Sequence, residues 1–198
     1  MFVTFEGLDG SGKSTQARLL AKALAADGRD VVSTREPGGT EVGELIRELI
    51  LGPRHIAPWA EAALFAAARA QLVEQVIAPA LDRGADVVCD RYLDSSLAYQ
   101  GIARGLGLER VLELNLNAIS GILPDRTYLL LVDPQESAQR LGEPDDRIER
   151  EDDAFRARVD EAYRELAAAY PERIVTIDGA RTPDTIGREI LDELRQRS

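Results

Sequence analysis

The stretch Gly7-Leu8-Asp9-Gly10-Ser11-Gly12-Lys13-Ser14 decides the fold of this 198-residue chain. It matches G-x-x-x-x-G-K-[ST], a pattern whose glycines let the backbone curl until its N–H groups point inward at phosphate oxygens. The stretch follows an apolar strand, Phe2 to Glu6, and opens a helix whose positive N-terminal end faces the same anion. This context predicts a P-loop that binds a nucleoside triphosphate; the alternative is a glycine-rich turn that binds nothing.

Two side chains of this loop have a predicted chemical role. Lys13 is placed to reach the β- and γ-phosphates of ATP as a point charge, and Ser14 to supply a hydroxyl ligand for Mg²⁺. The expected ATP contacts are Gly7, Leu8, Asp9, Gly10, Ser11, Gly12, Lys13, Ser14 and Thr15.

Around the loop, short apolar runs alternate with helical patterns. The predicted further strands are Asp30–Thr34, Asp86–Asp90, Arg126–Asp133 and Arg173–Ile177. The predicted helices are Lys13–Ala26, Glu41–Leu51, Pro58–Asp82 with a break near Pro79, Leu108–Ile119, Asp152–Tyr170 and Thr182–Arg197. Apolar strands spaced by helices predict a single α/β domain over residues 1–198, with three layers and a five-stranded parallel sheet flanked by helices. The polar stretch Gly142 to Asp153 is a candidate mobile loop.

Composition excludes several classes of protein. The chain is 44% hydrophobic and 30% charged, which is ordinary for a globular protein. No run approaches the roughly 18 consecutive apolar residues of a transmembrane helix, and the N-terminus lacks the features of a secretory signal, so no membrane association is expected. The net charge of −11 argues against a nucleic-acid-binding surface. The single cysteine, Cys89, rules out an internal disulfide and favours a cytoplasmic location.

Three classes of protein share such a P-loop: GTPases, motor or transport ATPases, and small-molecule kinases. The guanine-reading motif N-K-x-D is absent, because neither Asn115 nor Asn117 precedes a lysine. A transport ATPase needs further signature segments. A kinase needs a second substrate site that faces the γ-phosphate. His55, the only histidine, lies in a Pro-flanked connection and is not expected to be catalytic.

Asp90 and Arg91 directly follow an apolar strand, where open α/β sheets bind ligands. We expect Asp90 to hold Mg²⁺ or to orient the acceptor, and Arg91 to bind an acceptor phosphate. A helix N-cap for Asp90 and a surface ion pair for Arg91 are the alternatives. Phe65 and Arg69 are four residues apart on one predicted helix face, where they can stack on a base and hydrogen-bond its edge. Spacing alone leaves a core role for Phe65 and a solvated role for Arg69 open.

Five segments together resemble the thymidylate kinase family, P-loop enzymes that phosphorylate dTMP with ATP and Mg²⁺. They are FEGLDGSGKSTQ (Phe5 to Gln16), TREPGGT (Thr34 to Thr40), LFAAARAQ (Leu64 to Gln71), DRYLDSSLAYQG (Asp90 to Gly101) and DRIERED around Arg147. The resemblance covers almost the whole chain. It implies ATP and dTMP as small-molecule substrates and a homodimer built through packed helices.

The resemblance also implies an acceptor site. Phe65 would stack on thymine and Arg69 would donate to a thymine carbonyl. Tyr99 would lie against the sugar and disfavour a 2′-hydroxyl, and Asp9 would lie near the 3′-hydroxyl and the magnesium shell. Similar enzymes have a cis peptide bond before the counterpart of Pro37. The implied acceptor residues are Glu36, Pro37, Phe65, Arg69, Arg91, Ser95, Ser96, Tyr99 and Gln100.

The charged loop at about residues 140–153 corresponds to the family's LID, which closes over ATP and excludes water. The P-loop has no arginine of its own, so the LID is expected to supply one. This LID departs from the family pattern, because it is short and acidic, and it leaves Arg140, Arg147 and Arg150 as candidates. We expect Arg147 to contact the transferring phosphate and Arg140 to pack on adenine; the alternative is that Arg147 or Arg150 pairs with neighbouring acids. The predicted catalytic residues are Lys13, Arg91, Arg147 and Asp9. Kinases of other nucleotides or nucleosides, and a nucleotide-dependent switch, are the rival functions.

Overall fold

Five strands form one sheet in the computed structural model, which describes residues 1–197; Ser198, the end of the predicted domain, lies outside the described residues. The strands are β1 (Phe2–Glu6), β2 (Val31–Arg35), β3 (Asp86–Asp90), β4 (Arg126–Leu131) and β5 (Ile174–Asp178). Their order is β2-β3-β1-β4-β5, and every neighbouring pair is parallel. The predicted five-stranded parallel sheet is therefore confirmed.

Helices cover both faces of this sheet. They are α1 (Lys13–Ala26), α2 (Glu41–Leu51), α3 (Pro58–Leu72), α4 (Ala78–Asp82), α5 (Leu93–Ser96), α6 (Leu108–Ala118), α7 (Pro134–Leu141), α8 (Asp153–Ala169) and α9 (Pro183–Arg197), with π-helical stretches at Val73–Ile77 and Leu97–Ala103. Among the described residues, no helix combines the length and apolar character that crossing a membrane requires.

The core is split in two by the sheet, because successive side chains of a strand point to opposite faces. Val3 and Phe5 of β1 belong to a buried cluster that α1 and α9 complete. Phe2 of the same strand belongs to the cluster on the other face, which α8 and the helices after β2 and β3 complete. The central strand is therefore buried on both sides, as a parallel sheet requires.

The fourth strand ends two residues earlier than predicted. Asp133, assigned from sequence to the strand, is instead the N-cap of α7, since its carboxylate accepts hydrogen bonds from the main-chain N–H groups of Gln135 (2.9 Å) and Glu136 (3.3 Å). Helix α7 itself was not predicted. The capping carboxylate followed by Pro134 at the first helical position is the signal that marks its start.

The predicted break near Pro79 is wrong in form. The chain stays helical from residue 58 to residue 82, and the irregularity is the π-helical stretch Val73–Ile77 that precedes the proline. Pro79 is the second residue of α4, so the residue that has no N–H to donate to the preceding turn comes just after the irregular stretch.

The polar stretch after α7 is a loop, as predicted. Helix α7 ends at Leu141, and α8 begins at Asp153 after the N-cap Asp152, which accepts a hydrogen bond from the N–H of Phe155 (2.7 Å). Residues 142–152 form neither helix nor strand. These residues are called the LID below.

Candidate active site

A cavity of about 430 Å³ opens at the carboxyl edge of the sheet, between the P-loop and the LID. Parallel strands present their carboxyl ends at one edge, so the loops after β1, β2 and β3 meet there. The predicted residues that line the cavity are Asp9, Gly10, Gly12, Lys13, Ser14, Thr15, Glu36, Pro37, Phe65, Asp90, Arg91, Ser95, Ser96, Tyr99 and Gln100. The predicted residues outside this lining are Gly7, Leu8, Ser11, Arg69, Arg140 and Arg147.

The P-loop has a backbone that only glycine accommodates. Gly7, Gly10 and Gly12 have φ angles of 136°, 84° and 96°. A Cβ on Gly10 would clash with the carbonyl oxygen of Ser137 in α7. Helix α1 begins after Gly12 with no side-chain cap, so its first N–H groups are left for an anion. The geometry suits the phosphates of a nucleotide.

Lys13 is buried at the floor of the cavity. Its ammonium group donates a hydrogen bond to the carbonyl of Leu8 (2.7 Å) and lies 3.7 Å from Asp9 Oδ1. Burial and the nearby Arg91 lower the pKa of Lys13 to about 8, although neighbouring carboxylates oppose this shift. A bound phosphate would oppose this lowering of the Lys13 pKa, because its negative charge favours the protonated ammonium group.

Ser14 and Asp90 lie side by side, as the prediction of a magnesium site requires. The Ser14 hydroxyl donates to Asp90 Oδ2, while Asp90 Oδ1 is buried without a hydrogen-bond partner among the described residues. An unpaired carboxylate oxygen beside a phosphate loop fits Mg²⁺, which binds through one or two carboxylates, phosphates and water. Among the described residues, no group of three or more His, Cys, Asp or Glu could hold a metal by itself.

Arg91 is fixed by both its backbone and its side chain. It has a φ of 68°, rare for a residue other than glycine, and its N–H donates to the carbonyl of Phe5 (2.9 Å). The guanidinium donates to Asp9 Oδ1 (2.6 Å), to the Ser95 hydroxyl (2.9 Å) and to the Tyr163 hydroxyl (3.1 Å). With 15% of its side chain exposed, Arg91 is no surface ion pair; it presents a held positive charge to the cavity.

Asp9 joins the P-loop to this cation. Burial acts to raise the pKa of its carboxyl group, but the charges of Arg91 and Lys13 outweigh burial and hold that pKa well below its usual range. Tyr99 lies against the same pair, with its hydroxyl 3.5 Å from Asp9 Oδ2 and its ring centroid 5.3 Å from the Arg91 guanidinium carbon. The carboxylate therefore stays ionised across the physiological range.

Arg69 is buried, so the solvated alternative is wrong. Its guanidinium donates to Glu36 Oε2 (2.8 Å), the Ser96 hydroxyl (2.9 Å), Asn115 Oδ1 and the carbonyl of Tyr92 (3.0 Å). Nη2 of Arg69 also forms an ion pair with the same Glu36 oxygen, at 2.5 Å. Donation to a thymine carbonyl stays a prediction, and Arg69 is outside the cavity lining.

Two further arginines, which sequence reasoning missed, line the cavity. Arg47 donates to the carbonyl of Pro37 (2.8 Å), and Arg35 pairs with Glu44 (3.0 Å). Arg35 lies inside the TREPGGT segment, whereas Arg47 lies on α2 without a motif to mark it. The peptide bond between Glu36 and Pro37 is cis, as the resemblance implied.

Arg147 of the LID and Arg140 of α7 lie outside the cavity lining. Arg147 donates to Glu61 Oε2 (2.6 Å), and Arg140 donates to the carbonyl of Gly179 (2.9 Å). Their roles at the transferring phosphate and at adenine stay predictions. The LID residues that line the cavity are Asp146, Ile148 and Glu149.

Comparison with known proteins identifies the family. A sequence model of the thymidylate kinase family matches residues 5–190. This chain belongs to the thymidylate kinase family. It is 48% identical to the thymidylate kinase of an Exiguobacterium species, over 100% of this chain and 95% of the relative, and 48% identical to that of Bifidobacterium longum, over 99% and 98%. The crystal structure of thymidylate kinase from Ehrlichia chaffeensis matches with a TM-score of 0.81 and 33% identity over 98% of both chains.

Beneath the cavity of this thymidylate kinase family member lies a buried carboxylate that sequence reasoning missed. Glu6 Oε1 accepts hydrogen bonds from the N–H groups of Tyr92 (2.8 Å) and Ser95 (3.2 Å). Its Oε2 accepts from the hydroxyls of Ser95 (2.6 Å) and Tyr163 (2.9 Å), which in turn bind Arg91. A carboxylate that ends an apolar strand was the available signal, the same one that marked Asp90.

Glu6 makes folding stability depend on pH. Burial and the nearby Asp94 raise the pKa of Glu6 from 4.5 to about 7, against the opposing charge of Arg91. As the pH rises, the carboxyl group of Glu6 loses its proton at a lower pH in the unfolded chain than in the folded chain. Glu6 therefore contributes fully to folding stability below about pH 4.5, and this contribution is lost as the pH rises to about 7. We expect the stability advantage of wild type over Glu6→Gln to fall by about 3 kcal/mol across that range.

Urea unfolding of both proteins from pH 4.5 to 8 measures this difference. Glu113→Gln, a change at an exposed glutamate of α6, serves as the control and should show no such trend. A stability difference between wild type and Glu6→Gln that stays constant with pH would contradict the assignment.

Proposed function

We propose that this protein transfers the γ-phosphoryl group of ATP to dTMP, giving dTDP and ADP. The observation that carries the proposal is the position of Arg91, which lies in one cavity with the P-loop and is bonded to the P-loop carboxylate Asp9 at 2.6 Å. A cation at this junction suits a second phosphate facing the γ-phosphate. The choice of dTMP is supported by membership of the thymidylate kinase family.

The donor side is the P-loop and β3. The N–H groups of the loop and the start of α1 would hold the phosphates, and Lys13 would neutralise the charge that develops between donor and acceptor. Ser14 and Asp90 would hold Mg²⁺, which when bound supplies positive charge to the phosphates of ATP.

The acceptor side lies across the cavity. Phe65 would stack on thymine, Tyr99 would lie against the sugar, and Arg91 would bind the acceptor phosphate with help from Arg47. An anionic phosphate oxygen is already a nucleophile, so positioning and charge neutralisation carry the reaction without a strong general base.

The proposed substrates are anions, and the net charge of −11 on the chain repels them. The cavity lining contains four cations, Lys13, Arg35, Arg47 and Arg91, beside five carboxylates, Asp9, Glu36, Asp90, Asp146 and Glu149. A phosphate would therefore have to contact the cations directly, at short range, where their attraction exceeds that of a net field screened by salt.

An acceptor panel tests the function. ADP release from ATP should be fastest with dTMP among dTMP, dUMP, dCMP, AMP and thymidine. Lys13→Ala should lower dTMP-dependent ADP release by orders of magnitude at an unchanged melting temperature, because the variant keeps the fold and loses the charge at the phosphates.

Other outcomes identify the rivals. AMP or thymidine as the best acceptor would mean a kinase of another nucleotide or nucleoside. Slow hydrolysis of ATP with no stimulation by any acceptor would mean a nucleotide-dependent switch. Either result would overturn the proposal.

We further propose that two copies pair through α2 and its neighbouring helices. Val42, Leu45 and Leu49 form one stripe on α2, with 45%, 58% and 45% of their surfaces exposed. Trp59 of α3 and Leu116 of α6 are also exposed, and α3 packs against both α2 and α6. A self-complementary apolar face of this kind suits a two-fold symmetric dimer.

Leu45→Glu should convert this dimer to a monomer, because two buried carboxylates would face each other across the symmetry axis. Sedimentation velocity measures the change. Ala25→Glu, which adds the same charge to an exposed site on α1, should leave the dimer intact. A wild-type monomer, or a Leu45→Glu dimer, would contradict the pairing.

A cytoplasmic location is also proposed. Cys89 is a buried free thiol, which suits a reducing compartment. Recovery of the protein outside the cytoplasm on cell fractionation would contradict it.

A further inference from the structure

Glu61, on α3, is a buried carboxylate that has no role in the proposed reaction. Only 1% of its surface is exposed. It lies four residues before Phe65 and eight before Arg69, so the three share the helix face that borders the cavity. A buried carboxylate is costly unless it is paired, so its partners show what holds it there.

Three side chains converge on Glu61, two from the π-helical stretch Leu97–Ala103 and its C-cap Arg104, and one from the LID. Its Oε1 accepts hydrogen bonds from Gln100 Nε2 (2.9 Å) and Arg104 Nε (3.1 Å). Its Oε2 accepts from Arg147 Nη2 (2.6 Å) and Arg104 Nη2 (3.3 Å). Burial acts to raise the pKa of Glu61, but the Gln100 hydrogen bond and the two arginines outweigh burial and lower that pKa, so the carboxylate stays ionised.

The LID is attached to the body of the protein around this point. The N–H of Arg147 donates to the carbonyl of Leu51 (3.3 Å) and its Nε to the carbonyl of Ile50 (3.2 Å), at the end of α2. Glu151, also in the LID, pairs with Arg104 (2.7 Å). An open LID would leave the buried carboxylate with one cation instead of two.

Glu61 is connected to the acceptor side of the cavity through Gln100. Gln100 lines the cavity, and so do Asp146 and Ile148, the two neighbours of Arg147 in the LID. We propose that Glu61 is a positioning residue that latches the LID over the cavity through Arg147 and links the latch to the acceptor site through Gln100. The link rests on the proposed function, whereas the latch does not.

This latch changes the role of Arg147. With Nη2 on Glu61 and Nε on a carbonyl of α2, its guanidinium holds the LID and lies outside the cavity lining. If Arg147 acts only by pairing with Glu61, losing either residue removes the same interaction. If Arg147 binds a phosphate instead, its contribution to turnover is independent of Glu61.

Limited trypsin digestion without substrates tests the latch. Cleavage after Arg150, followed by mass spectrometry, should be about tenfold faster in Glu61→Gln than in wild type, which corresponds to about 1.4 kcal/mol. Arg147→Gln, which loses the latch from the LID side, should give a similar increase even if Glu61→Gln folds poorly. The exposed-site control Glu113→Gln should match wild type, and melting temperatures separate local opening from global unfolding. Wild-type cleavage rates in both latch variants would overturn the proposal.

Two further arms test its parts. The Glu61→Gln/Arg147→Gln double variant should lose no more turnover than the worse single variant, whereas multiplied losses would overturn the latch as the role of Arg147. Added dTMP should slow cleavage in wild type and have less effect in Glu61→Gln. Equal slowing in the two proteins would overturn the link through Gln100, and failure of the proposed function would leave the substrate-free digestion unaffected.

Discussion

The ion pair between Arg91 and Asp9 joins the two halves of the site. Asp9 belongs to the P-loop after β1, and Arg91 directly follows β3, the neighbouring strand. Parallel pairing places Phe5 opposite Asp90, so the residues just beyond the two strand ends come within 2.6 Å of each other. The P-loop and the Arg91 cation are therefore set relative to each other by the sheet itself.

The surroundings of this pair are arranged to hold the arginine still. Glu6 fixes Ser95 and Tyr163, and these two hydroxyls accept from Arg91 Nη1, whereas Asp9 accepts from Nη2. Tyr163 lies on α8, directly after the LID, so the helix that follows the LID also supports Arg91. A preorganised charge of this kind costs little reorganisation when a phosphate arrives.

Sequence reasoning succeeded where the signal is local. The stretch Gly7–Ser14 predicted the P-loop, and the alternation of apolar strands with helices predicted the parallel sheet. Most of the acceptor-side lining was instead predicted from the resemblance to the thymidylate kinase family. Sequence reasoning missed partners that only folding brings together. Arg147 meets Glu61 across 86 residues, and Arg69 meets Asn115 across 46, and neither spacing leaves a periodic signal. From the sequence alone, a buried carboxylate such as Glu61 cannot be distinguished from an ordinary charged residue on a helix surface.

Calorimetric binding of dTMP and of thymidine to wild type and to Arg91→Gln tests the central claim most directly, since the two ligands differ only in the phosphate. If Arg91 holds the acceptor phosphate, Arg91→Gln should weaken dTMP binding by about 100-fold and change thymidine binding by less than about threefold. Equal losses for the two ligands would contradict a phosphate-binding role for Arg91 and with it the arrangement of donor and acceptor around the Asp9 pair.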